Sequence, residues 1–212
     1  MGVGSFIRDK LGIFKKPVTK GYYAIFIDLK DIIYRLKPWF SSESLMNILD
    51  FGCGEGIFTE MLAGAYPLAR ITGIDINPRV GLMFQGDPSR VIFKKQPIKD
   101  FAQENISRFD LVVISNVIHH IPIRMHKEVL TDIKKLLRLS GGYVIIVEWQ
   151  RIMTPIHFLA YFSDRYISGE RVQYYTVDEL RKLIEEIFGQ GCIRFETRIR
   201  PWLNNIMFLA QI

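Results

Sequence analysis

From residue 46 to its end, the chain repeats one pattern: a short, almost wholly apolar run, a break at glycine, proline or a polar cluster, then a stretch with apolar residues at helical spacing. The apolar runs are MNILDF, ARITGID, VIFKK, FDLVVIS and YVIIVEW. Between them, FTEMLAGAY reads as a helix, and RMHKEVLTDIKKLLRL is the clearest helix in the chain, closed by Gly141-Gly142. VDELRKLIEEIF is another, with Asp178 and Glu179 in its first turn, where the helix dipole favours acids. CIRFETRI and NIMFLAQI close the chain as two strands joined by a short loop, hence antiparallel. Strands that alternate with helices and are apolar on both faces belong to a parallel sheet covered on both sides. The expected fold is therefore α/β: a doubly wound seven-stranded sheet, mostly parallel with an antiparallel C-terminal strand, and helices on both faces. In such a sheet ligands bind beyond the carboxyl ends of the strands, so every loop after a strand is a site candidate.

A chain of 212 residues is long enough to bury a sizeable core, and 49% hydrophobic with 24% charged residues excludes disorder. No apolar run reaches the ~18–20 residues that span a bilayer. Cys53 and Cys192 lie far apart and form no Cys-x-x-Cys pair, which argues against a disulfide framework or a cysteine-based zinc site and suits a reducing cytoplasm. The net charge of +6 is uneven: residues 1–40 hold eight Lys/Arg against three Asp, whereas the remainder balances 20 against 19. Residues 1–40 are accordingly expected to be a basic arm and a helix that packs on or caps a domain formed by 41–212. The helix spans YYAIFIDLKDIIYRLKPWF and stops at Pro38. Within residues 1–16, Phe6, Ile7, Leu11, Ile13 and Phe14 mix with Arg8, Lys10, Lys15 and Lys16. Two readings stand: a short helix with its apolar side on the domain, or a contact with an anionic membrane surface or nucleic acid. The charges at Arg8, Asp9 and Lys10 break any secretory signal, and Phe6 stands where myristoylation needs Ser or Thr.

The first loop after a strand is Asp50-Phe51-Gly52-Cys53-Gly54-Glu55-Gly56. Three glycines at spacing two let the backbone turn tightly and approach a ligand without intervening Cβ atoms, and a helix start follows. Such loops also serve purely as turns. Asp75 ends the second strand, nineteen residues after Gly56, where a carboxylate accepts hydrogen bonds from both hydroxyls of a ribose; the plainer alternative is a solvated acid opening the turn before Asn77-Pro78. A nicotinamide dinucleotide asks for Gly-x-Gly-x-x-Gly, and Ile57 stands where its last glycine belongs. Asp50 is also out of place beside phosphates but suits a ligand with an ammonium or sulfonium group. An adenosine joined to an amino acid fits better than a dinucleotide, which points to S-adenosyl-L-methionine.

With these residues in view, the chain resembles the class I S-adenosylmethionine-dependent methyltransferases, which have a Rossmann-like sheet, and in particular their ubiquinone/menaquinone-biosynthesis-like branch. The resemblance covers roughly residues 45–150. ILDFGCGEG is similar to the family's first motif and GIDIN to its second; FDLVVISNVIHHIP resembles the strand-four motif and LLRLSGGYVIIVE the turn into strand five. The resemblance implies that Gly52, Cys53, Gly54 and Gly56 line the methionine and ribose. It puts Asp50 near the amino end, directly or through water, and Asp75 on the ribose hydroxyls. Ile76 packs on the adenine, and Ser115 and Asn116 flank the methionine portion. Many relatives show Gly-Asp-Ala after strand three, where this chain has Gln96-Pro97-Ile98, so Gln96 or a backbone carbonyl takes over the adenine contact. VGLMFQGDPSR, with Gly81, Gly86 and Pro88, implies a short or broken helix where relatives have a longer one.

Methyl transfer mainly needs positioning and exclusion of water, with a base if the acceptor is a hydroxyl or an acidic carbon. His119 and His120 follow strand four and are the catalytic candidates; the resemblance favours His120, and the alternative is one core and one solvated histidine. His157 and Glu148 are secondary candidates; Glu148 ends strand five, at the site's edge or paired with an arginine. Adjacent histidines do not readily converge on one ion, so no metal is expected. Residues 150–176 are rich in aromatics and either cap the acceptor pocket or pack on the protein alone. His157, Tyr161 and Tyr174, with Trp202 from the loop after strand six, are the substrate candidates. The leading expectation is methyl transfer to a small, partly apolar acceptor, with O- or C-methylation favoured. A nucleic-acid methyltransferase using the basic arm is the alternative, against which stand the neutral body and the missing Asn/Asp-Pro-Pro-Tyr signature. A third reading is a non-catalytic, cofactor-binding subunit. The expected location is the cytoplasm, with a membrane's periphery as the alternative, and the oligomeric state is left open.

Overall fold

The computed structural model describes residues 26–139, 141–162 and 172–212. The basic segment 1–16 and the centre of the aromatic stretch lie outside the described residues. Helix α1 (Leu29–Leu36) is shorter than the expected helix, because the Asp28 carboxylate accepts from the amides of Lys30 and Asp31 and so starts a new helix there. After it the chain alternates β1 (Asn47–Phe51), α2 (Ile57–Ala65), β2 (Arg70–Asp75), β3 (Val91–Lys95), α3 (Ile98–Glu104), β4 (Leu111–Ser115), α4 (His126–Leu136) and β5 (Tyr143–Trp149). It ends with α5 (Pro155–Phe162), α6 (Val177–Phe188), β6 (Ile193–Ile199) and β7 (Asn205–Gln211).

All seven expected strands are present in one sheet of order β3-β2-β1-β4-β5-β7-β6. Pairing is parallel from β3 to β5; β7 runs antiparallel to both β5 and β6. Alternate residues feed two cores, as the two-residue period of a strand requires. Leu49, Val112, Ile114, Val144 and Ile146 meet α3, α4 and α6 on one face. Ile48, Leu111, Val113, Ile145 and Val147 meet α1 and α2 on the other.

Several local expectations need correction. Helix α4 covers His126–Leu136 rather than 124–139: a 3₁₀ turn, Ile123–Met125, precedes it, and Leu137 has turned extended to bridge Phe109. Helices α3 and α5 were not expected. The first begins directly after Pro97, whose fixed φ suits the residue before a helix. The second lies inside the aromatic stretch, where apolar residues on both sides obscure the helical period. No helix forms between β2 and β3, in keeping with the glycines and proline of that segment.

Candidate active site

The chain leaves β1 toward β2 and β3 on one side, then crosses back to β4 on the other. The crevice between the loops after β1 and β4 is the place where such sheets bind ligands. Both loops are built for close approach. Gly52 has φ +72°, and a Cβ there would stand 2.4 Å from Cγ2 of Val117, so the two loops touch at that point. Gly54 has φ +53°, and open space lies where its side chain would be. The amides of Gly52 and Cys53 donate to the Ile74 carbonyl, and Gly56 caps α2 in the left-handed region.

Asp75, at the end of β2, receives the Gly54 amide on Oδ2 and the Asn77 amide on Oδ1, each at 2.8 Å. The glycine loop and the acid, nineteen residues apart in sequence, thus form one unit. Next to Asp75, Ile76 is 73% exposed and offers an apolar surface. Beneath the loop, Asp50 is 2% exposed, and Oγ1 of Thr59 donates to it at 2.6 Å. Burial pushes its carboxyl up to about 7 against the restraint of the Thr59 bond, and the nearby Asp75 charge adds to the rise. Burial, with Asp50 and Asp75 nearby, also pushes the Cys53 thiol far up, so Cys53 stays protonated.

On the other side of the crevice, Ser115 ends β4 and Asn116 adopts φ +54°, with its amide bonded to the Val147 carbonyl. The next three residues converge on one buried carboxylate. Val117 and Ile118 donate their amides to Oε1 of Glu148 at 2.8 and 2.7 Å, and Nδ1 of His119 meets Oε2 at 2.6 Å. Burial pushes Glu148 up, but the ion pair with His119 and these bonds together hold it below the usual carboxylate range. A carboxylate only accepts, so Nδ1 of His119 carries its proton. The partner of Glu148 is therefore histidine, not arginine. His119 is buried; His120 is exposed, its ring centroid 4.1 Å from that of His119.

Tyr174 is buried between His119 and His157, at ring distances of 5.3 and 5.1 Å. The indole N–H of Trp149 donates to Nδ1 of His157 at 3.0 Å, so that nitrogen is unprotonated, and burial lowers the imidazole further from its charged form. His157 thus faces inward beneath α5, while Tyr161 on the same helix is exposed. Trp202 lies on the exposed β6–β7 turn. The Gln96 side chain is directed to Glu104, with Nε2 3.4 Å from Oε1, although its amide is bonded to the Asp75 carbonyl. Pro97 starts α3 and is exposed. Among the described residues no group of three His, Cys, Asp or Glu side chains is placed to hold a metal ion.

Some contributors carry no sequence signal. Phe93 packs where Cβ atoms on Gly56, Gly73 and Gly81 would otherwise stand, at 3.0, 2.8 and 2.4 Å from its ring. Three glycines from three segments thus make room for one phenyl ring that supports the loop. Tyr175 and His126 form a second link. Nε2 of His126 lies 2.6 Å from the Ile121 carbonyl and must donate there, which leaves Nδ1 to accept from the Tyr175 hydroxyl at 2.6 Å. This ties the loop after β4 to α4 and to the segment leading into α6.

Comparison with known proteins gives the family and the fold. The family described as a methyltransferase domain matches residues 24–187. The chain is 27% identical over 185 residues to malonyl-[acyl-carrier protein] O-methyltransferase of Bacillus anthracis, covering 79% of this chain and 65% of the relative. It is 32% identical over 81 residues to the ubiquinone biosynthesis O-methyltransferase of Aromatoleum aromaticum, covering 35% of this chain and 33% of that one. The chain therefore spans less than two thirds of either relative. In fold it is similar to the 1,6-didemethyltoxoflavin-N1-methyltransferase of Burkholderia thailandensis, solved with 1,6-didemethyltoxoflavin and S-adenosylhomocysteine. The TM-score is 0.69 at 17% identity, over 98% of this chain and 87% of the other.

Proposed function

The chain belongs to the class I S-adenosylmethionine-dependent methyltransferase family, and on that premise we propose that it moves a methyl group from S-adenosyl-L-methionine to a small, partly apolar acceptor, at oxygen or carbon. The observation that carries this reading is the Gly54–Asp75 unit facing the Asn116–Val117 loop across the switch point of the sheet. The residues present fit the donor. The space over Gly54 admits a ligand against bare backbone, and each oxygen of Asp75 holds one amide and retains a lone pair for a ribose hydroxyl. Ile76 supplies an apolar face for the adenine. The Gln96 side chain is paired with Glu104 and its amide with Asp75, which leaves its backbone carbonyl as the adenine contact on that edge.

Bound there, the donor supplies an electrophilic methyl carbon on a sulfonium. The chain's own residues orient it and exclude water. Asp50, with a carboxyl near 7, is held where a positive ligand draws it to the ionised form. The proton of an acceptor hydroxyl passes to the imidazole of His120, and the Glu148–His119 pair fixes the backbone from Val117 to His119 that carries it. Relatives named for acyl-carrier-protein and ubiquinone chemistry support an apolar acceptor. Two buried thiols are compatible with a reducing, cytoplasmic setting.

Calorimetry with S-adenosylhomocysteine tests the reading. Wild type is expected to bind in the micromolar range, and Asp75→Ala at least thirtyfold more weakly with an unchanged circular-dichroism spectrum. Equal affinities would remove Asp75 from the site, and no heat with wild type would remove the donor.

A further inference from the structure

Helix α5 carries its polarity the wrong way round for a solvated helix. Its inward residues are Ile156 and His157, packed toward Trp149 and Tyr174. Its outward face presents Phe158, Leu159 and Phe162, at 57, 52 and 53% exposed, with Met153 at 88% just before it. Residues 152–162 contain no Asp, Glu, Lys or Arg, whereas a helix facing water places its charges outward. The apolar surface continues across the β6–β7 turn. The Asn204 amide bonds Oγ1 of Thr154, and the Gln150 side chain bonds the Leu203 carbonyl, which brings exposed Trp202 and Leu203 alongside the start of α5. A contiguous exposed apolar face on a folded domain marks a contact with another phase or partner.

Charge selects the occupant. Residues 150–162 and 198–204, which form this face, carry Arg151, Arg198 and Arg200 and no carboxylate; Arg151 pairs with Glu179 and Arg200 with Asp31. Phe26 and Asp28 lie at the same edge: the Asn205 side-chain amide donates to the Phe26 carbonyl, and the Asp28 amide donates to that of Arg200. Residues 1–25 bring five basic residues against one acid. We propose that the outer face of α5, continued by the 202–203 turn, docks on an anionic phospholipid surface, to which the basic composition of residues 1–25 adds electrostatic attraction. Apolar residues enter the interface, aromatic rings lie at headgroup depth, and the cations meet anionic lipid. Among the described residues no helix is long and apolar enough to cross a membrane. The inference stands on this face and on the charge of residues 1–25, and it does not depend on the acceptor.

The test is sedimentation of the full-length chain with phosphatidylcholine vesicles, with and without one quarter phosphatidylglycerol. Binding to the anionic vesicles is expected to be at least tenfold tighter than to neutral ones and to weaken with salt. Met153→Glu with Leu159→Glu is expected to reduce it at least tenfold while S-adenosylhomocysteine affinity stays unchanged. In the unaltered chain, brominated lipid is expected to quench tryptophan fluorescence, and Trp202→Phe to remove most of that quenching. Absence of sedimentation with anionic vesicles, or undiminished binding by the double variant, would overturn the proposal. So would a self-association that the double variant abolishes, which assigns the face to a second copy of the chain.

Discussion

Asp50 offers the sharpest physical test of the loop architecture. The carboxyl sits at about 7 in the folded chain against an ordinary value of 3.8, because burial beneath the glycine loop disfavours its charge more than the Thr59 hydroxyl favours it. The folded state therefore holds this proton more tightly than the unfolded chain does. That contribution to stability is complete below the ordinary value and is lost as pH rises through about 7. Integrating the difference between the two titrations gives a loss of roughly 2–3 kcal/mol between pH 5 and pH 8. Asp50→Asn keeps the shape and leaves an oxygen to accept from Thr59, but it removes the ionisation. Urea unfolding of wild type and variant across that range reads the effect. The variant is expected to gain on wild type by about that amount from pH 5 to pH 8, the gap opening mainly below 7. Parallel stability profiles would refute the argument, since every other titrating group is common to both chains.

Gly52→Ala combines a left-handed backbone with a Cβ only 2.4 Å from Val117, and is expected to cost about 2–4 kcal/mol; Val117→Ala in the same chain should recover only part, because the backbone strain remains. Thermal or urea melts of the two single variants and the double variant check this. Glu148→Ala strands two amides and His119 in the interior and is expected to cost about 3–5 kcal/mol, again read by urea unfolding. Because Glu148 is held below the ordinary carboxylate value, its stabilisation is present above that value and lost as pH falls through the folded one, so Glu148→Gln should flatten the acid limb of the stability profile. Both cysteines are buried with thiols pushed up chiefly by burial, so iodoacetamide at pH 8 should label neither in the folded chain and both in urea; mass spectrometry reads the outcome.

The strands were legible because each is an apolar run with a recognisable stop, and the glycine loop because its left-handed backbone favours glycine. Gly52, Gly54 and Gly56 all have positive φ, a demand visible in the residue type itself. Asp75 was legible through its spacing from that loop. Helix α5 was not, because its apolar residues face both inward and outward and leave no polar stripe to mark a period. Nor was the break before α1: Asp28 sits within an uninterrupted helical pattern and acts as a cap only because its side chain turns back on the amides of Lys30 and Asp31.

What the amino-acid order determined by itself was the alternation of strand and helix, hence a doubly wound sheet, and the loops at which a ligand meets the chain. Those features are local: apolar period, turn residue and helix start each act over a few neighbouring positions. Only the tertiary structure decided the pairings of Glu148 with His119, of Trp149 with His157, and of Phe93 with three glycines from separate segments. It also decided that the carboxyl of Asp50 rises while that of Glu148 falls, although both are buried acids on neighbouring parts of one sheet. Burial disfavours charge in each. Glu148 is offset by a histidine and two amides brought from another strand's loop, and Asp50 by a single hydroxyl, and no local pattern in the chain encodes that difference.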